Sequence, residues 1–442
     1  MDYEYDICFI GGGLNYAGAV VASRGGMKTV LIEKDLSHLG GTCLHNGCIP
    51  SKMWLHASET LWRSAAAYCK GSLRLDMKKL QEEKKEIVAN ATQNVTMQCG
   101  RVELIEGEGV LTAPHRVEVA GKTLTARYVV IGTGSSPYIP EGVVYDGKRV
   151  VTSDEILQLQ KLPEKIAIYG DGAIGLEMAS FFAAAGVETD LIWRHATLLR
   201  KAHPSMGRGM MKQMERIGVG LLPERRIVSA ERSKYAVRIV DDKGGEYEAP
   251  MLLVATGRRA NVGAVRTDAV AIGPRGIETD EHFETTLPDH YAIGDCNGKL
   301  QLAHAARAQV LHVVRRILGE DPDPFDPDRV VRFIHTLPAG YASVGKTKIS
   351  LESERSAYKE SLLPLGGLPY AKIHDAPEGK IAVYSDEEGF IVGAEILAPD
   401  AEELAAIVAM ALAGEMDVSL AKRTVMAHPT FSELLERTYG KL

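Results

Sequence analysis

One signal occurs twice in this chain and constrains its fold more than any other feature. An apolar run at residues 5–10 leads into Gly11-Gly12-Gly13, and a second at 165–169 leads into Gly170-Asp171-Gly172-Ala173-Ile174-Gly175. Each glycine turn is followed by a helix-like apolar stretch and then by another strand-like run, at 28–33 and 189–193. A strand, a glycine turn, a helix and a strand make a βαβ unit, so the spacing predicts two nucleotide-binding domains. Two further strand-to-turn runs, 127–131 into Gly132-Thr133-Gly134 and 252–255 into Thr256-Gly257, are expected to close each domain by packing a strand back toward the nucleotide.

The first turn has Gly11 and Gly13 for the tight bend and the close approach of backbone to pyrophosphate, but Tyr16 stands at the usual third glycine position. An ordinary strand–helix turn carries similar glycines. Glu33 decides for a dinucleotide: it lies 22 residues past Gly11, at the end of the second strand, where a carboxylate holds a ribose diol. In the second unit the same distance from Gly170 falls at Ile192 or Trp193, and neither can grip a diol. The chain continues Arg194-His195-Ala196-Thr197-Leu198-Leu199-Arg200-Lys201, with no acid in the turn. Arginines there accept a 2′-phosphate through charge-assisted hydrogen bonds, although a solvated basic turn would read the same way.

Length and composition bound the rest. A chain of 442 residues exceeds one ordinary core, so two or three domains are expected. With 51 basic against 58 acidic residues there is no basic field for nucleic acid or an anionic membrane. No apolar run reaches the ~20 residues of a spanning helix, and the acidic start does not read as a signal peptide, so a cytoplasmic protein is expected. A helical stretch is expected over about 51–99. A third block from about 326, past a Pro- and Asp-rich linker at 319–328, has strand-like runs at 330–334, 380–384 and 390–396 and an amphipathic helix at 401–413.

Of six cysteines, Cys8, Cys69, Cys99 and Cys296 are scattered, as small core side chains would be. Cys43 and Cys48 stand five apart in Gly41-Thr42-Cys43-Leu44-His45-Asn46-Gly47-Cys48-Ile49-Pro50-Ser51-Lys52. Pro50 and Ser51 mark a helix start, which puts Cys48 where unsatisfied N–H groups and the dipole stabilise a thiolate. A pair of this kind cycles between disulfide and dithiol. His45, between the two, reads as a solvated turn residue able to tune a thiolate. Near the C-terminus, Pro429 is expected to open a helix, and Glu433 is placed to orient His428 as a general base.

These segments together resemble the FAD-dependent pyridine nucleotide–disulfide oxidoreductases over essentially the whole chain. The Ile49-Pro50-Ser51-Lys52 ending is similar to the dihydrolipoamide dehydrogenase version. Tyr291-Ala292-Ile293-Gly294-Asp295 matches the second flavin motif, Leu302-Ala303-His304 the run beneath the flavin ring, and Ala427-His428-Pro429-Thr430-Phe431-Ser432-Glu433 the catalytic-base motif. The resemblance implies an α/β fold with two Rossmann-like dinucleotide-binding domains plus a C-terminal α+β dimerisation domain. The expected boundaries are 1–145 for FAD and the redox-active disulfide, 146–262 for NAD(P), 263–325 for a return to the FAD or central domain, and 326–442 for the interface.

Residue by residue, the resemblance makes Cys43 the interchange thiol and Cys48 the charge-transfer thiolate. It makes Lys52 and Glu177 an ion pair near the flavin, and Asp295 a ligand of the ribityl chain. The remaining cofactor contacts it implies are Lys34, Gly41, Thr42, Thr133 and Gly134 for FAD, and Gly170, Gly172, Ile174, Gly175 and Gly257 for the nicotinamide dinucleotide. The base, His428 with Glu433, comes from the partner subunit, so a homodimer is implied. The Arg194–Arg200 spacing resembles the phosphate-binding pair of glutathione reductase, with His195 between, which favours NADP(H) while leaving NAD(H) possible. The substrate is expected to be a small dithiol or disulfide or a lipoyl domain. No metal site is expected. The alternatives are an NADPH-dependent reductase of a low-molecular-weight disulfide and a non-catalytic flavin-bound redox sensor. Leu337-Pro338-Ala339-Gly340 departs from the family's usual Pro-Glu, and with no cysteine after Cys296 the similar mercuric reductases and large thioredoxin reductases, which carry a second C-terminal redox pair, are disfavoured.

Overall fold

The computed structural model describes residues 2–64 and 69–442. The chain forms two compact units, each assembled from three segments. The first holds Met1–Ser51, Gln81–Tyr138 and Gly257–Pro327. Its sheet runs Glu103–Glu106, Thr29–Glu33, Tyr5–Ile10, Lys122–Ile131 in parallel, with His290–Ala292 also parallel against Lys122–Ile131. Strands covered on both faces need apolar side chains at nearly every position, and Ile7, Cys8, Phe9 and Ile10 are all buried. The helices Asn15–Arg24 and Ala303–Ile317 pack together with this strand in one apolar core. The expected return of residues 127–131 beside the first strand is present, with Ile10 opposite Ile131.

The second unit holds Lys52–Leu80, Ile139–Thr256 and Asp328–Leu442. Its parallel sheet runs Val219–Leu222, Glu188–Ile192, Lys165–Tyr169, Leu252–Val254, Val150–Val151, so the second closing strand also returns as expected. An antiparallel meander, Ile227–Arg232, Val237–Asp241 and Glu246–Ala249, was not legible in the sequence. A separate antiparallel sheet of five strands, Arg332–Ile334, Gly340–Gly345, Ile391–Ala398, Lys380–Ser385 and Lys359–Pro364, carries the helices Ala401–Ala413 and Ser432–Tyr439 over an apolar core.

Four expectations change. Cys69, expected as a small core side chain, is exposed, whereas Cys8, Cys99 and Cys296 are buried. The helical stretch over 51–99 is two helices, Cys48–Ser64 and Met77–Gln98, and residues 65–68 lie outside the described residues. The C-terminal helix opens at Ser432, three residues past Pro429, which stands outside it. His45 is the last residue of a short helix, Gly41–His45, and is half-buried, with Nε2 3.0 Å from the Leu39 carbonyl and its ring against His38. Burial holds its imidazole below the usual histidine range. It is an anchor for the cysteine segment and not a solvated residue.

Candidate active site

Both glycine turns are built as anion cradles. Gly11 has φ +96°, and a Cβ on it would sit 2.5 Å from the Gly132 carbonyl oxygen, so only glycine fits there. A Cβ on Gly13 would meet nothing within 4 Å, leaving open space ahead of the helix Asn15–Arg24. The Gly13 and Leu14 N–H groups take no partner among the described residues. The Glu33 carboxylate closes onto this turn by accepting from the Gly12 N–H. Such free N–H groups at a helix N-terminus suit a pyrophosphate, and a carboxylate beside them suits a ribose diol, so the residues present fit a dinucleotide. The second turn repeats the design: Gly170 has φ +127° and approaches the Ala255 carbonyl, and Gly175 approaches the Gly170 carbonyl so closely that a Cβ would lie 1.9 Å from its oxygen.

Asp295 lies in the first unit near the second return of the chain. Its carboxylate accepts from the Ser135 hydroxyl, and Ser135 in turn accepts from Arg258 Nε at 2.7 Å. Burial pushes its carboxyl above the ordinary range, opposed by Ser135 and the Arg258 charge. Thr133 donates to the Asn261 carbonyl at 2.6 Å, and Asn261 donates back to the Thr133 carbonyl at 3.0 Å, fixing the Thr133–Gly134 turn. Ser135, Arg258 and Asn261 escaped the sequence reading because their partners lie more than 100 residues away. Leu302 precedes the helix Ala303–Ile317, and Gly294 N–H donates to the buried Gln309 side chain at 2.7 Å. Lys34 is exposed beside Glu33.

The cysteine segment lies against the first glycine turn: a Cβ on Gly41 would meet Gly13 Cα at 2.8 Å. Cys43 is half-buried on the helix Gly41–His45, and Cys48 is the first residue of the helix Cys48–Ser64. A Cβ on Gly47 would lie 2.7 Å from the Thr42 carbonyl oxygen and 3.1 Å from Cys43 Cα. The missing side chain at Gly47 therefore lets the residue before Cys48 touch the backbone of Cys43. Ser51 secures the turn, its N–H donating to Gly47 O at 3.0 Å and its hydroxyl to Cys48 O at 3.2 Å.

The second unit brings together Lys52 and Glu177, separated by 125 residues, at 2.6 Å. At its C-terminus His428 Nδ1 lies 3.0 Å from Glu433 Oε2, while Glu433 Oε1 accepts from the Thr430 N–H at 2.9 Å. The histidine contact and this N–H hold the Glu433 carboxyl below its usual range. With Nδ1 facing the carboxylate, Nε2 is left as the acceptor of an exposed ring.

The basic turn after the strand Glu188–Ile192 carries Arg194 and Arg200 exposed and His195 half-buried. The Arg194 and Arg200 side chains form no ion pair or hydrogen bond among the described residues, whereas nearby Arg225 is committed to Asp241 at 2.6 Å. Ile192 and Trp193, where an acid would stand, are buried. The fold brings one acidic residue to this turn by its backbone: the Glu224 N–H donates to the His195 carbonyl at 3.1 Å. Among the described residues no group of three His, Cys, Asp or Glu side chains is placed to hold a metal ion, and no helix is long and apolar enough to cross a membrane.

Comparison with known proteins gives a consistent match. Residues 5–309 match the family model described as pyridine nucleotide-disulphide oxidoreductase, and residues 330–439 match the dimerisation domain of that family. The chain is 30% identical to a dihydrolipoyl dehydrogenase of Bacillus subtilis, over 98% of this chain and 97% of the relative. It is 31% identical to a dihydrolipoyl dehydrogenase of Chlamydia muridarum, over 98% and 96%. Among solved structures it shares the fold of LpdA from Mycobacterium tuberculosis, with a TM-score of 0.89 at 24% identity over 98% of this chain and 99% of that one.

Proposed function

Because this chain belongs to the pyridine nucleotide–disulphide oxidoreductase family, we propose that it passes electrons between a nicotinamide dinucleotide and a small dithiol or disulfide through the Cys43–Cys48 pair. Binding of FAD and of a pyridine nucleotide follows from the family, and FAD, when bound, relays two electrons between the nicotinamide and the cysteine sulfurs. The observation that carries the reading is the Gly47 contact with Cys43, which folds the segment so that Cys43 and Cys48 stand at the two ends of one tight turn.

The roles follow from that placement. Cys48 opens a 17-residue helix, so its thiolate is favoured by the dipole and by the first-turn N–H groups. Cys43 is the interchange thiol: in disulfide reduction its thiolate attacks the substrate S–S bond, forming the mixed disulfide and expelling one substrate thiolate. Cys48 then attacks the Cys43 sulfur, re-forming the Cys43–Cys48 bond and expelling the second; dithiol oxidation runs these steps in reverse. His428, oriented by Glu433, takes the thiol proton on Nε2 in the oxidative direction and returns it in the reductive one. His428 is exposed within its own chain, as a base lent to the partner of a homodimer has to be, and residues 330–439 supply the dimerisation domain.

The carboxylate-free end of the second nucleotide strand and the uncommitted Arg194 and Arg200 support NADP(H) over NAD(H), hence flow toward disulfide reduction. The relatives' names support a lipoyl-type dithiol as the first substrate to try. Few and scattered cysteines support a reducing compartment such as the cytoplasm. The domain boundaries proposed remain 1–145, 146–262, 263–325 and 326–442.

The test is spectroscopic and kinetic. Limited reduction of the yellow wild-type protein gives a long-wavelength charge-transfer band, Cys48→Ser abolishes it, and Cys43→Ser leaves it standing. An assay of dihydrolipoamide with NAD against glutathione disulfide with NADPH then identifies the substrate class. Flavin spectra indifferent to both substitutions would refute the reading.

A further inference from the structure

Two carboxylates and two basic groups meet around a turn that the sequence motifs pass over. Glu177, buried on the helix Ala173–Ala184, accepts two hydrogen bonds on Oε1: from Lys52 Nζ at 2.6 Å and from the His335 backbone N–H at 3.0 Å. The His335 ring has a different partner, with Nδ1 3.2 Å from Oε1 of Glu402 in the first turn of the helix Ala401–Ala413. The residues after His335 are fastened down as well. Leu337 N–H donates to Ser180 Oγ at 2.8 Å, and the Ala339 carbonyl accepts from Thr336 at 2.6 Å and from Gln213 at 2.7 Å. Phe333, two residues earlier, has its ring centroid 5.3 Å from Lys52 Nζ. His335 is therefore held on both sides, its backbone on Glu177 and its ring on Glu402.

The charged groups that face the His335 ring come from three elements: Glu402 from the helix Ala401–Ala413, Lys52 from Cys48–Ser64, and Glu177 from Ala173–Ala184. The Glu402 contact favours the charged imidazole and outweighs both burial and repulsion from Lys52. Burial would raise the Glu402 carboxyl, but His335 and the helix N–H groups leave it below the ordinary range. With the imidazole protonated, two positive and two negative charges balance. When the proton leaves to solvent, the cluster carries one net negative charge.

We propose that His335, anchored by Glu402, is the positioning residue of the Lys52–Glu177 pair, and that the proton on its imidazole sets the net charge of this four-group cluster. The inference rests on the reading that Lys52 and Glu177 serve the flavin. On that reading, a net negative cluster opposes the build-up of electron density on the flavin during reduction. The environment of the flavin then changes with the charge of a residue that does not touch it.

The experiment follows two signals in the flavin-loaded protein across pH: hydrogen–deuterium exchange at the imidazole Cε1 of His335, read by mass spectrometry, and the visible spectrum of the oxidised flavin. Wild type should show a spectral inflection at the exchange midpoint of His335. Glu402→Gln, which removes the carboxylate but keeps the size, should move both to lower pH together. His335→Phe should lose the spectral inflection while keeping flavin content. A spectrum without an inflection at the His335 midpoint, or one unmoved in Glu402→Gln, would overturn the proposal. The cysteine reading fails separately, by the absence of a charge-transfer band on reduction of wild type, because the oxidised spectrum does not depend on that band.

Discussion

A Cβ placed on Gly18 would lie 2.4 Å from Val310 Cγ2 and 3.2 Å from Phe9 Cε1. The helix Asn15–Arg24 therefore meets both the first strand and the helix Ala303–Ile317 through a glycine two positions beyond the usual third one. Tyr16, which occupies the usual position, packs at the edge of the same core. Gly18→Val should destabilise the first unit by about 1–3 kcal/mol through overpacking, and weaken flavin retention with it. Urea unfolding and flavin content after gel filtration read both effects, and unchanged stability would mean that the helices can part without cost.

His428→Ala should slow the dithiol half-reaction by about 10² to 10⁴, the range of a positioned acid–base group. Reduction of the flavin by nicotinamide should be nearly untouched, because His428 has no part in it. Rapid-mixing measurement of the two half-reactions separates them. Equal losses in both would point to a folding defect.

Two charge-assisted contacts at about 1.5–3 kcal/mol each would allow a preference of a hundredfold or more for NADPH over NADH. The ratio of kcat/KM for the two cofactors should collapse in the Arg194→Ala, Arg200→Ala double variant, mainly through KM for NADPH. Glu224→Gln should shift the ratio slightly further toward NADPH, since it removes an acid whose backbone is hydrogen-bonded to that of His195. Wild-type preference for NADH, unchanged in the double variant, returns the protein to NAD-linked chemistry.

His290 is fully buried, with Nδ1 2.7 Å from the Pro288 carbonyl and Nε2 accepting from the His115 N–H at 3.0 Å. Burial pushes its pKa down to about 4 from the ordinary 6.5. The unfolded chain therefore binds a proton that the folded chain refuses. Stability is full above the unfolded value and falls as pH drops from 6.5 toward 4, by about 3 kcal/mol at about 1.4 kcal/mol per pH unit. His290→Gln should flatten that slope in denaturant melts between pH 7.5 and 5. A slope identical to wild type would assign the acid sensitivity elsewhere.

Much of the architecture was written in local periodicity. The strands Tyr5–Ile10 and Lys165–Tyr169 and the helix Ala401–Ala413 fall at the residues their patterns indicate. A strand covered on both faces and an amphipathic helix each announce themselves within a dozen residues. The cysteine pair and the His428–Glu433 pair were legible for the same reason, since each chemical unit is contained in a short segment.

What the sequence could not give were relations across long separations. The meander from Ile227 to Ala249 has strands too short and too exposed to stand out by periodicity. Lys52 and Glu177 were known only as a family pair until the fold set them 2.6 Å apart. His335 and Glu402 carried no motif at all, and only the turn hydrogen-bonded to the helix Ala173–Ala184 reveals their contact. By itself the sequence determined the two glycine turns, the cysteine pair and the His428–Glu433 pair, because backbone conformation and nearest-neighbour chemistry fix those locally. The tertiary structure decided which buried charges share a partner, because a carboxylate taken out of water must find donors wherever in the chain they lie.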